Sequence, residues 1–268
     1  MAITHTIPPV PDQSGRVAIV TGANAGLGFE ASLALSAAGA KVIMACRSVA
    51  KGEEARRAIV ERCPGADIAV AELDISSLAS VRDFAARTAS TTSRLDLLIN
   101  NAGIMATPKA RSPDGFEMQF ATNHLGHFLL TGLLLPLLNA TAGSRVVAVS
   151  SLAARQGTID FDDPMGEKHY DTWKAYNQSK LANLMFGLEL KRRLHRAGSK
   201  TCAMIAHPGA STTNLFSTPG GGFVKRVFAP LTKLFLFQSA QDGVQPILLA
   251  ALSPDQVRKL AEMQEAWV

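Results

Sequence analysis

Short runs rich in Val, Ile and Leu recur along the chain at RVAIV (16–20), KVIMA (41–45), DIAVA (67–71), LDLLI (95–99), RVVAV (145–149) and TCAMIA (201–206). None alternates apolar with polar, so both faces of each strand are to be covered. Between them, apolar residues fall at helical spacing in FEASLALSAAG (29–39), EEARRAIVERC (53–63), LASVRDFAARTAS (78–90), the apolar stretch 115–138 and KAYNQSKLANLMFGLELKRRL (174–194). Strands alternating with helices imply right-handed crossovers onto a parallel sheet. The expected fold is α/β, with one doubly wound parallel sheet carrying helices on both faces and 1–268 forming a single domain. Residues 1–13 read as a loose N-terminal arm, and no linker, internal repeat or low-complexity block follows.

Such a sheet binds ligands outside the carboxyl ends of its strands, which directs attention to the residues just after each run. After the first comes TGANAGLG, with Gly22, Gly26 and Gly28 between a strand and the mouth of a helix. Glycines there let a backbone approach a diphosphate that the helix amides face; a tight structural turn is the other reading. After the second run, an acidic side chain would receive the ribose 2′-hydroxyl of NAD, but the sequence offers Cys46, Arg47 and Ser48. Arg47 and Ser48 suit a 2′-phosphate, so NADP(H) is the expected cofactor, against a plain solvated arginine. After the third run stands Asp74, which could also cap a helix starting near Ser77. The fourth is followed by Asn100 and Asn101, offering amides, and by Gly103, where a backbone can come close.

Composition narrows the class. With 268 residues, 47% of them hydrophobic and 18% charged, the chain can bury a substantial core. Its net charge of +5 raises the question of nucleic acid, but the basic residues are dispersed apart from KRRLHR (191–196) at a helix end, where they complement the dipole. Nucleic acid is therefore not an expected partner. Cys46, Cys63 and Cys202 form an odd set without metal-ligand spacing, which points to no disulfide framework, no metal site and a cytoplasmic location. The start, MAITHTIPPVPDQSG, lacks the pattern of a signal peptide, and LGHFLLTGLLLPLL (125–138) and VFAPLTKLFLF (227–237) are too short to span a bilayer. His124 and His127 flank a glycine in NHLGHF and are expected to be packed or hydrogen-bonded, there being no third ligand at suitable spacing.

The chain has only two tyrosines, and each precedes a lysine by four residues: Tyr170 with Lys174, and Tyr176 with Lys180. A tyrosine can protonate a carbonyl oxygen that receives a hydride once its pKa is brought down, and a lysine on the same helical face would lower it. Spacing alone does not separate the two pairs. Ser151, at the end of the VVAVSS strand, stands at the same rim of the sheet and could hold the substrate oxygen.

TGANAGLG, NNAG, the Asn123 of ATNHLGHF, VVAVSSLAA, AYNQSKLAN and HPG, in this order, resemble the short-chain dehydrogenase/reductase family, a Rossmann-fold group, over roughly residues 14–253. The resemblance selects Tyr176, because the family pattern YxxSK matches Tyr176, Ser179 and Lys180. It implies Tyr176 as proton donor or acceptor and Ser151 as the hydroxyl orienting the substrate oxygen. Lys180 becomes the electrostatic partner that also holds the nicotinamide ribose, and Asn123 the anchor of a water relay. On the cofactor side it implies Thr21, Gly22, Asn24, Gly26, Leu27 and Gly28 in the phosphate loop and Asp74 with Ile75 at the adenine. Asn101, Ala102 and Gly103 follow beside them, and Pro208, Gly209 and Thr213 lie at the carboxamide. It also implies a homo-oligomer, through helices 115–138 and 174–194.

Within the family, VIMACRS, ATNHLGHFLL, SKLANLMF and the long interval RQGTIDFDDPMGEKHYDTWK resemble the retinol dehydrogenase-like group and light-dependent protochlorophyllide reductase. The insertion is expected to border the substrate mouth. The pigment reductase carries a cysteine after its Pro-Gly where this chain has Ala210, which favours ordinary hydride transfer at an alcohol carbon. Retinol dehydrogenases often carry an N-terminal membrane anchor, which is not expected here, and the segment VRKLAEMQEAWV reads as helix where the family usually has a strand. Residues 211–240 are expected to form the substrate lid, with Gly220, Gly221 and Gly222 as hinge and Phe223, Phe228, Phe235 and Phe237 as apolar lining, core packing or subunit contacts. The expected activity is NADP(H)-dependent hydride transfer to or from a bulky hydrophobic carbonyl or alcohol. The alternatives are a catalytically silent dinucleotide-binding regulator and a C=C reductase similar to the pigment enzyme.

Overall fold

The six apolar runs form six parallel strands: β1 (Val17–Thr21), β2 (Lys41–Cys46), β3 (Ile68–Glu72), β4 (Leu97–Asn100), β5 (Arg145–Val149) and β6 (Cys202–Ala206). They belong to a computed structural model that describes residues 10–208 and 240–253. The strand order is β3-β2-β1-β4-β5-β6, so the chain winds outward from β1, returns to β4 and winds outward the other way. Every residue of β1 and β4 is buried, as two-sided covering of the central strands requires.

Helices α1 (Gly26–Ala37), α2 (Val49–Arg62) and α3 (Leu78–Thr91) connect the first four strands. Then come α4 (Met118–Phe120), a π turn (Ala121–Leu125), α5 (Gly126–Ala140), a 3-10 turn (Leu152–Gln156), α6 (Thr172–Arg196), α7 (Ala240–Gly243) and α8 (Gln245–Leu252). Two cores result. Ala18, Val20, Leu97 and Ile99 face α1, α2 and α8 through Leu35, Ile59 and Ile247, whereas Ile19, Leu98 and Val146 face α3 and α5 through Phe84, Leu130 and Leu134. This is the doubly wound arrangement expected.

Several local expectations change. The stretch 115–138 is not one helix: the carboxylate of Glu117 accepts from the amides of Gln119 and Phe120, starting α4 at Met118, and the amide of Gly126 donates to the carbonyl of Ala121 across the π turn. The N-terminal arm is not loose as far as 13, since Gln13 is buried and its amide donates to the carbonyl of Ala38 at 2.7 Å. Part of the basic run is neutralised locally, Glu189 pairing with both Arg192 and Arg193 at 2.7 Å. Gly209, Ala210, Thr213, the lid up to 239 and the segment VRKLAEMQEAWV lie outside the described residues.

Candidate active site at the switch point

Thr21 ends β1 in the centre of the sheet, and the chain turns there through Gly22 at φ +65, a conformation that favours glycine. A Cβ at Gly28 would fall on the carbonyl oxygen of Gly22 and stand 2.6 Å from Nδ2 of Asn101. Helix α1 can therefore reach this close only with glycine. Its N-cap is Ala25, which makes no side-chain cap bond, and no acidic residue stands in the first turn, so the first amides of α1 are left for an anion. A diphosphate fits this cradle. Leu27 and Ile75 turn their side chains into the two cores, leaving only backbone for a ligand.

The rim beside the loop carries the other expected groups. Arg47 is exposed just past β2, whose Ala45 pairs in register with Thr21. Ser48 caps α2, accepting from the amide of Lys51 at 3.4 Å, and its proton remains available for donation. Asp74 does not cap α3: Ser77 does, while Oδ1 of Asp74 accepts from the amide and hydroxyl of Ser76 at 3.0 and 2.7 Å. Pro208 follows β6 at the same rim. Sequence reasoning gives Cys46 no role at the loop, yet its buried thiol is pushed up to about 11 by burial, against a lowering by the amides of Ala23 and Asn24 in the loop. The thiol serves the loop as a buried support.

After β5, Ser151 opens the 3-10 turn, accepting from the amide of Ala153 at 3.2 Å, and its hydroxyl lies close enough to the phenol of Tyr176 on α6 to pull that group's pKa down. Lys180 lies one turn further along α6, buried, with Nζ 5.9 Å from the centre of the Tyr176 ring and donating to the carbonyl of Val149 at 3.4 Å. Burial pushes the Tyr176 phenol up, against the lowering by Ser151, and pulls Lys180 down to about 8. The expected lowering of Tyr176 by Lys180 is thus not what prevails. Both groups are withdrawn from water, and the loss of hydration sets the direction of each shift.

Tyr170 has a different environment. It precedes α6, so the spacing to Lys174 places nothing on a shared helical face, and Lys174 instead pairs with Asp160 at 2.8 Å. The Tyr170 hydroxyl accepts from Nε2 of Gln119 at 3.0 Å and faces the carbonyl of Thr107 and Oε1 of Glu117, each at 3.1 Å. Lys109 donates to the carbonyl of Gly166 at 2.7 Å and Arg111 pairs with Glu167, fastening the insertion to the loop after β4. A cleft beneath the insertion is lined by Glu117, Asp160, Tyr170 and Lys174, apart from Ser151 and Tyr176.

Asn123 sits fully buried in the π turn. Its side chain accepts from the amide of Ile104 at 2.8 Å and donates to the Ile104 carbonyl and to Oγ of Ser179, both at 2.9 Å. A Cβ at Gly103 would stand 3.1 Å from Oδ1 of Asn123 and 3.5 Å from Nζ of Lys180, so this loop runs between the glycine cradle and the catalytic helix. His124 bonds Oδ1 of Asn183 at 3.2 Å and packs against Phe120, Phe128 and Phe186. His127 is buried against Thr21 and Asn123. Among the described residues, no group of three His, Cys, Asp or Glu side chains is placed to hold a metal.

A family model described as short chain dehydrogenase matches residues 16–219. Retinol dehydrogenase 14 of Mus musculus is 42% identical over 251 residues, covering 90% of this chain and 75% of that protein. Retinol dehydrogenase 13 of Homo sapiens is 42% identical over 245 residues, covering 90% and 73%. Among solved structures, an uncharacterized protein from Mycobacterium Paratuberculosis is 44% identical with a TM-score of 0.74, covering 91% of this chain and 79% of that one. A protein from Beutenbergia cavernae described as an NAD(P)-dependent gluconate 5-dehydrogenase, with NADP bound at low occupancy, shares the fold at a TM-score of 0.73 and 21% identity, covering 93% and 94%.

Proposed function

Because the chain belongs to the short-chain dehydrogenase family, in its retinol dehydrogenase-like group, and is an oxidoreductase of that family, we propose that it moves a hydride between NADP(H) and the carbonyl or alcohol carbon of a bulky hydrophobic substrate, retinoid-, steroid- or ketone-like. The observation that carries this is the meeting of Ser151, Tyr176 and Lys180 at the strand ends next to the glycine cradle. The dinucleotide supplies or accepts the hydride. In reduction, the Tyr176 hydroxyl donates its proton to the substrate oxygen, which the Ser151 hydroxyl orients; in oxidation, Tyr176 takes the proton back. Charged Lys180 favours the tyrosinate left behind and bonds the ribose hydroxyls. Asn123 keeps the loop after β4 pressed on α6.

Arg47 supports NADP(H): it is an exposed cation past β2, in the place where a carboxylate would select NAD. An apolar substrate is supported by Leu152 and Trp173, large exposed side chains next to Ser151 and Tyr176, with the Trp173 ring 6.3 Å from that of Tyr176. Exposed Phe128, Leu133, Met185 and Leu188 on α5 and α6 support a homo-oligomer, and three free thiols support a cytoplasmic setting. No helix among the described residues is long and apolar enough to cross a membrane.

The test follows NADPH absorbance with hydrophobic aldehydes and ketones, retinal and steroid ketones included, for wild type, Tyr176→Phe and Tyr170→Phe. Expected is turnover abolished in Tyr176→Phe with NADPH still bound, and chemistry retained in Tyr170→Phe. Turnover surviving in Tyr176→Phe would remove that residue from its role, and NADPH bound by a wild type that oxidises none of it would favour a cofactor-sensing protein.

A further inference from the structure

His127 hydrogen-bonds neither the glycines of the cradle nor Tyr176, yet it joins the parts that hold both. Its Nδ1 is 3.1 Å from the carbonyl of Asn123, and its Nε2 is 2.9 Å from Oγ1 of Thr21. A carbonyl only accepts, so Nδ1 carries the proton and donates it. The ring is fully buried and burial holds it neutral at ordinary pH, its value lowered to about 4, so Nε2 has no proton and must accept. Thr21 is placed to supply that bond. Its oxygen accepts from the amides of Asn101 and Ala102, each at 2.9 Å, which leaves the hydroxyl proton to point at Nε2 rather than at the more distant carbonyl of Ile99, 3.4 Å away. The donor and acceptor roles are therefore fixed throughout the chain.

The loop from Asn101 to Ile104 is gripped at both ends by the two partners of this ring. Thr21 takes the amides at its start, and the side chain of Asn123 takes the amide and carbonyl of Ile104 at its end while also bonding Ser179, the residue before Lys180. Gly103, inside the loop, lies against Lys180. We propose that His127 is a positioning residue: its Nδ1-protonated imidazole sets the Asn101–Ile104 loop between the dinucleotide cradle and the catalytic helix, the Nε2 side serving the cofactor and the Nδ1 side serving the proton-transfer groups. This rests on the dinucleotide reading above.

Two near-isosteric replacements separate the two sides. His127→Gln puts an amide oxygen near the place of Nε2 and drops the Nδ1 donor; His127→Asn keeps a donor near Nδ1 and drops the acceptor. Dinucleotide Kd, single-turnover kcat and Tm are measured for both, with His127→Phe removing both bonds. Expected is a crossed result, in which His127→Gln binds NADPH as wild type but loses kcat roughly tenfold, and His127→Asn weakens NADPH roughly tenfold with kcat largely kept. Thr21→Val should copy the His127→Asn pattern, and Thr21→Ser should restore binding. Parallel losses in the Gln and Asn variants that track Tm would reduce His127 to packing and overturn the proposal, as would wild-type behaviour of His127→Phe. A long-range proton–nitrogen NMR spectrum of the wild type reads the tautomer directly: neutral and protonated at Nδ1 from pH 7 to 5 is expected, and an Nε2-protonated or charged ring would overturn the proposal. A wild type that binds neither NADPH nor NADH would sink the dinucleotide reading, while the tautomer would still be decided by the spectrum.

Discussion

Lys180 shows most directly that the site and the fold make opposing demands on one residue. A buried ammonium with its value brought down from 10.5 to about 8 is penalised by lost hydration in the folded chain. Because the unfolded chain binds the extra proton between those values, the penalty is fully present below about pH 8 and disappears as pH rises toward 10.5. Lys180→Met should therefore stabilise the protein at pH 7, by up to about 3 kcal/mol, while removing turnover; the Val149 carbonyl keeps its bond from Asn183. Denaturant unfolding at pH 7 and pH 10 checks this, the gain shrinking at the higher pH; a destabilised variant at pH 7 would count against the buried-charge account. At the rim, Arg47→Glu should weaken NADPH roughly tenfold or more while changing NADH little. Titration of both cofactors decides it, and equal effects would make Arg47 a bystander.

Among the elements, β4 carries a stabilising device at the end opposite the active site. Asp96, just before β4, is 2% exposed; burial alone would push its carboxyl up, but two bonds from Arg94 at 2.7 and 2.9 Å, one from the amide of Val17 at 2.9 Å and nearby Arg16 hold it below its ordinary value. A carboxylate lowered by folding contributes stability that is complete above its unfolded pKa of 3.8 and is lost as pH falls through the lower folded value. Asp96→Asn should cost about 2 kcal/mol at pH 7 and progressively less below pH 4. Urea unfolding across that range tests it, and a pH-independent difference would assign the loss to packing. The π turn is the counterpart at the functional end, since it delivers Asn123 to Ile104 and Ser179 together. A uniform apolar pattern over 115–138 announces helix and says nothing about that turn.

For the whole molecule, the exposed apolar side chains of α5 and α6 set the next expectation. Phe128 is 56% exposed, Met185 50% and Leu188 55%, and the Phe128 and Phe186 rings meet at 5.5 Å, so the two helices offer one neighbouring apolar surface. Light scattering should give a multiple of 28.4 kDa for the wild type and a monomer for Phe128→Asp combined with Met185→Asp, with circular dichroism unchanged; a wild-type monomer would rule the surface out as an interface. At this scale the sequence had already determined the fold: six apolar runs and the helical periods between them specify strands covered on both faces, because only a parallel sheet with crossovers buries them all. The glycines after β1 were legible for the same reason, since a cradle formed from adjacent residues is a local property of the chain. What tertiary structure alone decided depends on contacts between distant segments. It separated Tyr176, beside Ser151, from Tyr170, bound to Glu117 and Gln119, although both share the same spacing to a lysine. It turned the expected lowering of the Tyr176 phenol into a rise, because hydration lost on burial is fixed by everything packed around a group. It also made His127 the link between Thr21 and Asn123: a histidine has no visible partners until residues far apart in the chain fold around its two nitrogens.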